Sequence, residues 1–131
     1  MKQRKYILSG GILALIAVIL GALASHALKS RLDTDGLSSF RTAVRFQFYH
    51  ALALLALAAV LDFLKSNYHK WILYAMLSGT ILFSFSIYGL ILLPLAGIKA
   101  HWLGPVTPLG GFLLIAAWTM VVTAALRKKE A

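Results

Sequence analysis

YILSGGILALIAVILGALASHAL, residues Tyr6–Leu28, runs from end to end without a charged side chain. A helix rises 1.5 Å per residue, so about 20 apolar residues carry it across the hydrocarbon core of a bilayer. Three more runs follow the first. Ala43–Leu64 is broken only by Arg45 and Asp62, and Trp71–Leu93 and Leu109–Leu126 carry no charge. Lipid offers no water to satisfy free backbone N–H and C=O groups, and a helix satisfies them within itself. The chain therefore reads as all-α, an integral membrane four-helix bundle. Its spans are antiparallel and up-down, near 6–28, 43–64, 71–93 and 107–126, in a single domain over 1–131.

Composition agrees with this reading. Of 131 residues, 60% are hydrophobic, far more than a soluble core of this size needs. The net charge of +9 would suit nucleic acid. The cations, however, sit at the edges of the apolar runs, where they anchor spans and meet anionic headgroups. No nucleic-acid partner is expected. Cysteine is absent, which excludes disulfides and thiolate metal sites.

The first run also has the outline of a signal peptide. Met1–Lys5 is basic, Ile7–Leu20 is apolar, and Ala22-Leu23-Ala24 resembles a cleavage site that would leave three spans. Its small residues fit a different role. Gly10, Ala14, Ala17, Gly21 and Ala24 share one helical face, a stripe that lets membrane helices approach closely. The stripe favours retention and four spans.

Basic residues set the expected orientation. Lys2, Arg4, Lys5, Lys65, Lys70, Arg127, Lys128 and Lys129 belong to the termini and the second connection. Lys29, Arg31, Arg41, Arg45 and Lys99 belong to the first and third connections and their helix edges. The excess on the first side predicts both termini in the cytoplasm of a multi-pass protein of the cell membrane, the plasma or inner membrane of a bacterium.

Local signals mark the connections. Lys65–Lys70 is a tight turn, and Asp33-Thr34-Asp35-Gly36 reads as a turn before a helix capped by Ser38 or Ser39 and starting near Phe40. Pro94 ends the third span. Thr107 is the expected N-cap of the fourth, with Pro108 at its first position, where a missing N–H costs nothing.

Most of the unusual polar residues then gather at the external end. His26 closes the first span, Arg41, Arg45, Gln47 and His50 open the second, and Lys99, His101 and Thr107 precede the fourth. At about 100° per residue, Arg41 and Arg45 share one face of the second helix with Tyr49 beside them. Gln47 and His50 share the opposite face with Leu54, Leu57 and Leu61. His50 sits about 12 Å along the helix from Thr42, and polar groups at such depth face the bundle or a wet cavity. Two readings of His50 stand: a functional group, or a neutral imidazole bonded to a neighbouring helix. Snorkelling to headgroups is the bland reading of Arg41 and Arg45, and belt or packing roles serve for Tyr49, Trp71, Tyr88 and Trp102.

Gly104-Pro105-Val106-Thr107-Pro108-Leu109-Gly110-Gly111 is denser in special residues than a connector requires. Two prolines fix the backbone, and Gly110 and Gly111 leave room for a helix or a ligand. The N-termini of spans two and four would bring partial positive charge to Arg41, Arg45 and Lys99, a recipe for holding an anion.

Three motifs in order also carry a resemblance: Gly21–Leu28, Phe40–Leu52, and Gly104–Gly111 with Trp118. Together they resemble domain-of-unknown-function family 423, small membrane proteins that include bacterial inner-membrane proteins and the animal transmembrane protein 256. The likeness covers nearly the whole chain. That family often has Gly where Ser25 stands and Tyr where Phe46 stands. The resemblance implies a four-span membrane protein and no particular activity.

The expected function is therefore non-enzymatic. An anionic group or lipid headgroup is held at the external end, rather than the cytoplasmic one, by an accessory subunit or small carrier. Arg41, Arg45, Lys99, Thr107, Gly110 and Gly111 are the binding candidates, and His26, Gln47 and His50 the buried polar ones. The expected partners are membrane lipids, with a second copy of the chain or a larger membrane complex beside them. No cofactor or metal is expected. The alternative is redox chemistry, with His26 and His50 on haem iron or joined by His101 on a metal. A lipid hydrolase is a weaker third class, since Asp33 and Asp35 sit in a turn and Asp62 lies at the other end.

Overall fold

A computed structural model describes residues 2–64 and 66–127. Its helices are α1 (Lys2–Ser25), α2 (Thr34–Val60), α3 (His69–Thr80), α4 (Ser86–Leu92) and α5 (Val106–Leu126). A π-helical turn, Ile81–Phe85, joins α3 and α4 into one rod. Among the described residues four stretches are long and apolar enough to cross a membrane: Lys2–Ser25, Thr34–Phe63, His69–Ala96 and His101–Leu126. Short connections make consecutive spans antiparallel, so α1 and α3 begin at one end and α2 and α5 at the other.

α1 packs along α2, and α5 along α3 and the π turn, while α2 also meets the α3–α4 rod. The small-residue stripe of α1 faces α2. Gly10, Ala17 and Ala24 are buried there, and a Cβ on Gly10 would sit 2.8 Å from the carbonyl oxygen of Ala51. The outward side of α1 carries Ile12, Leu15 and Val18, each more than half exposed, as a lipid-facing surface requires.

Two helix starts differ from the sequence reading. Asp33 is not in a free turn: its carboxylate accepts the Gly36 N–H at 2.7 Å and caps α2, which begins at Thr34 rather than near Phe40. An aspartate outcompetes serine here because it satisfies an orphan N–H and sets negative charge against the positive helix end. α5 begins at Val106 after Pro105, with no side-chain cap, so Thr107 and Pro108 lie inside its first turn. The hydroxyl expected to cap α5 is engaged by Ser86 instead, at 2.6 Å. Pro94 does end the third span. Gly97, at φ 76°, closes the turn by donating to Leu93 and Pro94 carbonyls.

Candidate functional site

Two polar links in the bundle centre organise what surrounds them. Gln47, fully buried on α2, donates from Nε2 to the Leu13 carbonyl at 2.8 Å and accepts from the Tyr88 hydroxyl at 2.6 Å. One side chain thus ties α1, α2 and α4, and its amide leaves no polar atom bare in the apolar interior. One helical turn deeper, His50 Nδ1 lies 2.7 Å from the Phe46 carbonyl, and the Trp118 indole N–H donates to its Nε2 at 3.1 Å. A carbonyl only accepts and an indole only donates. These partners fix the neutral imidazole with its proton on Nδ1. Of the two readings of His50, the geometry matches the bond to a neighbouring helix.

The faces of α2 separate as helical spacing predicts. Gln47, His50, Leu54, Leu57 and Leu61 are buried, whereas Arg41, Arg45 and Tyr49 are exposed. Among the described residues Arg41 and Arg45 make no side-chain hydrogen bond or ion pair. His26, at the end of α1, and Lys99 are exposed too. Lys99 lines a cavity of about 330 Å³ with Pro94, Gly97 and His101, apart from the two arginines. Among the described residues no three His, Cys, Asp or Glu side chains converge.

Gly110 and Gly111 divide in role. A Cβ on Gly110 would strike the Phe83 amide nitrogen and stand 2.8 Å from the Gly79 carbonyl oxygen, so Gly110 serves the crossing of α5 over the π turn. At Gly111 the nearest atom to such a Cβ is Phe83 Cδ2, at 4.0 Å. Gly111 lines an apolar groove of about 650 Å³ with Phe46, His50, Phe83 and Trp118.

The π turn was not legible in the sequence. Its extra backbone step aims Ser84 at the Ala43 carbonyl, 2.8 Å away on α2, and leaves Ser86 to meet Thr107 on α5. Because Ser86 donates to the Phe83 carbonyl at 2.9 Å, Thr107 is the donor between the two hydroxyls. Tyr88 had been given a belt or packing role and Trp118 none beyond its motif, and both prove to be donors to buried polar side chains. Serines inside an apolar run were the available signal.

At the end where α2 and α5 begin, a cavity of about 470 Å³ is lined by Ser38, Ser39, Thr42, Thr107 and Pro108 together with Ile87, Leu90 and Ile91. Arg41 and Arg45 do not line it; they stand three residues after Ser38 and Thr42 respectively, on the exposed face of α2 next to its hydroxyl wall. The two helix starts are unequal. That of α2 is filled by Asp33 and has Asp35 in its first turn, whereas that of α5 has no acid and no side-chain cap.

Comparison with known proteins matches this chain. Residues 20–111 match the family described as "Protein of unknown function (DUF423)". The UPF0382 membrane protein YwdK of Bacillus subtilis is 36% identical over 129 residues, covering 95% of this chain and 98% of its own. The UPF0382 membrane protein C1782.12c of Schizosaccharomyces pombe is 39% identical over 110 residues, covering 82% and 91%. The UPF0382 inner membrane protein YgdD of Escherichia coli is 32% identical over 130 residues, covering 99% and 95%. No solved structure matches. With its four apolar spans and these relatives along nearly its full length, the chain is a multi-pass membrane protein and belongs to the DUF423 family.

Proposed function

We propose that the protein is a non-enzymatic membrane component that holds an anionic lipid headgroup at the end where α2 and α5 begin, with both termini cytoplasmic. The hydroxyl-lined cavity of about 470 Å³ at that end carries the reading. Ser38, Ser39, Thr42 and Thr107 offer hydroxyls, the uncapped start of α5 offers backbone N–H groups, and Arg41 and Arg45, on the adjoining face of α2, bring charge that is unpaired among the described residues. Helix starts and arginine forks both favour phosphate oxygens.

Lys99 contributes long-range attraction from the neighbouring loop. Gly110 contributes by holding α5 against α3, and Gly111 lines the apolar groove in which an acyl chain would lie. His26, exposed after α1, lies at the same end of the bundle, and Gln47 and His50 keep the helices in register beneath the cavity. The redox alternative has less support, because both nitrogens of His50 are already engaged.

The test is to purify the protein in mild detergent and weigh what stays bound. The reading predicts an anionic phospholipid enriched over its share of the source membrane. Retained lipid in the membrane's own proportions would contradict it.

A further inference from the structure

The opposite end of the bundle, where α1 and α3 begin, contains a cavity that the proposal above does not use. The two helix starts are fastened together: the Tyr6 hydroxyl donates to the His69 carbonyl at 2.5 Å. Beside this bond is a space of about 380 Å³ lined by Lys2, Lys5, His69, Lys70, Trp71 and Tyr74, among others. Lys2 and Lys5 lie three residues apart on α1, so they face the same way. Lys70 comes from the first turn of α3, its ammonium 5.5 Å from the Trp71 ring centroid and 5.9 Å from that of Tyr74. Three cations line one small space, and among the described residues no carboxylate lines it. Asp62, at this end, accepts from Gln3 Nε2 at 3.4 and 3.5 Å among its interactions.

His69 adds a second requirement. It is only 6% exposed, and its Nε2 donates to the Leu64 carbonyl at 3.1 Å. Its Nδ1 is therefore a lone pair, buried and without a partner. An unpaired buried acceptor is costly, and it calls for a hydrogen-bond donor. The lysines call for negative charge. A phosphate ester bearing a hydroxyl group meets both demands, with aromatic rings at the membrane surface beside it.

We infer that this cavity, between Lys2, Lys5 and Lys70 and walled by His69, is a second binding site, for a hydroxyl-bearing phosphate ester such as a glycerol phosphate headgroup. The site is independent of Arg41 and Arg45. Like charges held together repel, so occupancy by an anion relieves the cluster while a neutral headgroup does not.

The test uses the full chain in the Arg41→Gln, Arg45→Gln background, so that only this site is read. Native mass spectrometry follows retention of phosphatidylglycerol from nanodiscs in which the other lipid is phosphatidylcholine. Lys5→Gln with Lys70→Gln is expected to lower retention about fivefold. Lys29→Gln with Arg31→Gln removes the same charge from the other end and should lower it less than twofold. Displacement by added glycerol phosphate would identify the free ester as sufficient, and failure to displace would identify the lipid as the ligand; both outcomes keep the site. Equal losses from the two double variants would overturn it, as would equal retention of phosphatidylcholine.

Discussion

The indole N–H of Trp118 on α5 donates to Nε2 of His50 on α2 across 3.1 Å, and this bond is a polar tie between the first hairpin and the last helix. The rings meet edge-on, with centroids 6.0 Å apart. In a bilayer such bonds contribute about 0.6 kcal/mol on average and up to about 1.7 kcal/mol. A double-mutant cycle with His50→Leu and Trp118→Phe, followed by unfolding in mixed micelles, should return a coupling energy in that range. A coupling indistinguishable from zero would remove the tie. The same two bonds leave His50 no free nitrogen, so the purified protein should show no haem absorption. A Soret band that disappears in His50→Ala would promote the redox alternative.

Gln47 should prove more expensive to lose than its partner. Gln47→Leu strands the buried Tyr88 hydroxyl and removes a donor from the Leu13 carbonyl. A buried polar group without its partner costs about 1–3 kcal/mol. Adding Tyr88→Phe should recover much of the loss, since the stranded hydroxyl is gone. Stability of the double variant below that of Gln47→Leu would contradict this account of the network.

Gly110→Ala and Gly111→Ala should separate sharply. The first forces α5 away from the Phe83 and Gly79 backbone, and overpacking of this kind costs about 1–3 kcal/mol. The second adds a methyl in ordinary contact with the Phe83 ring and should change stability by less than about 0.5 kcal/mol. Thermal unfolding of both variants in one detergent checks the ranking.

Hydropathy revealed the four spans because lipid imposes one strong demand on sequence, apolar length. The face of α2 was legible for a related reason: its charged and polar residues sit three and four apart, so period alone parts Arg41 and Arg45 from Gln47 and His50. The partners of Gln47 and His50 were not legible. Which tyrosine or tryptophan reaches a buried amide depends on helix rotation and crossing, and neither leaves a periodic trace. The π turn escaped for the same reason, since one extra backbone step shifts Ser84 and Ser86 without altering composition. Asp33 shows a different limit, because Asp-Thr-Asp-Gly suits a turn and an N-cap equally until the structure selects one.

Orientation can be read with single cysteines, because the chain has none of its own. Cysteine at Thr34 should react with an impermeant thiol reagent on intact cells. Cysteine at Ser66, or at Ala131, which lies outside the described residues, should not. The reverse pattern would place both termini outside.

The central claim is that a particular anionic site, rather than general attraction, lies where α2 and α5 begin. Charged hydrogen bonds contribute about 1.5–3 kcal/mol each, against about 0–1 kcal/mol for an ordinary exposed ion pair. Arg41→Gln with Arg45→Gln should therefore remove the anionic lipid held at this end, while lipid held at the cavity of Lys2, Lys5 and Lys70 remains. Lys128→Gln with Lys129→Gln, at positions outside the described residues, should leave it in place. Native mass spectrometry in matched anionic and zwitterionic lipid mixtures makes the comparison. Loss confined to the arginine variant is the predicted result, and equal losses from both double variants would contradict the site.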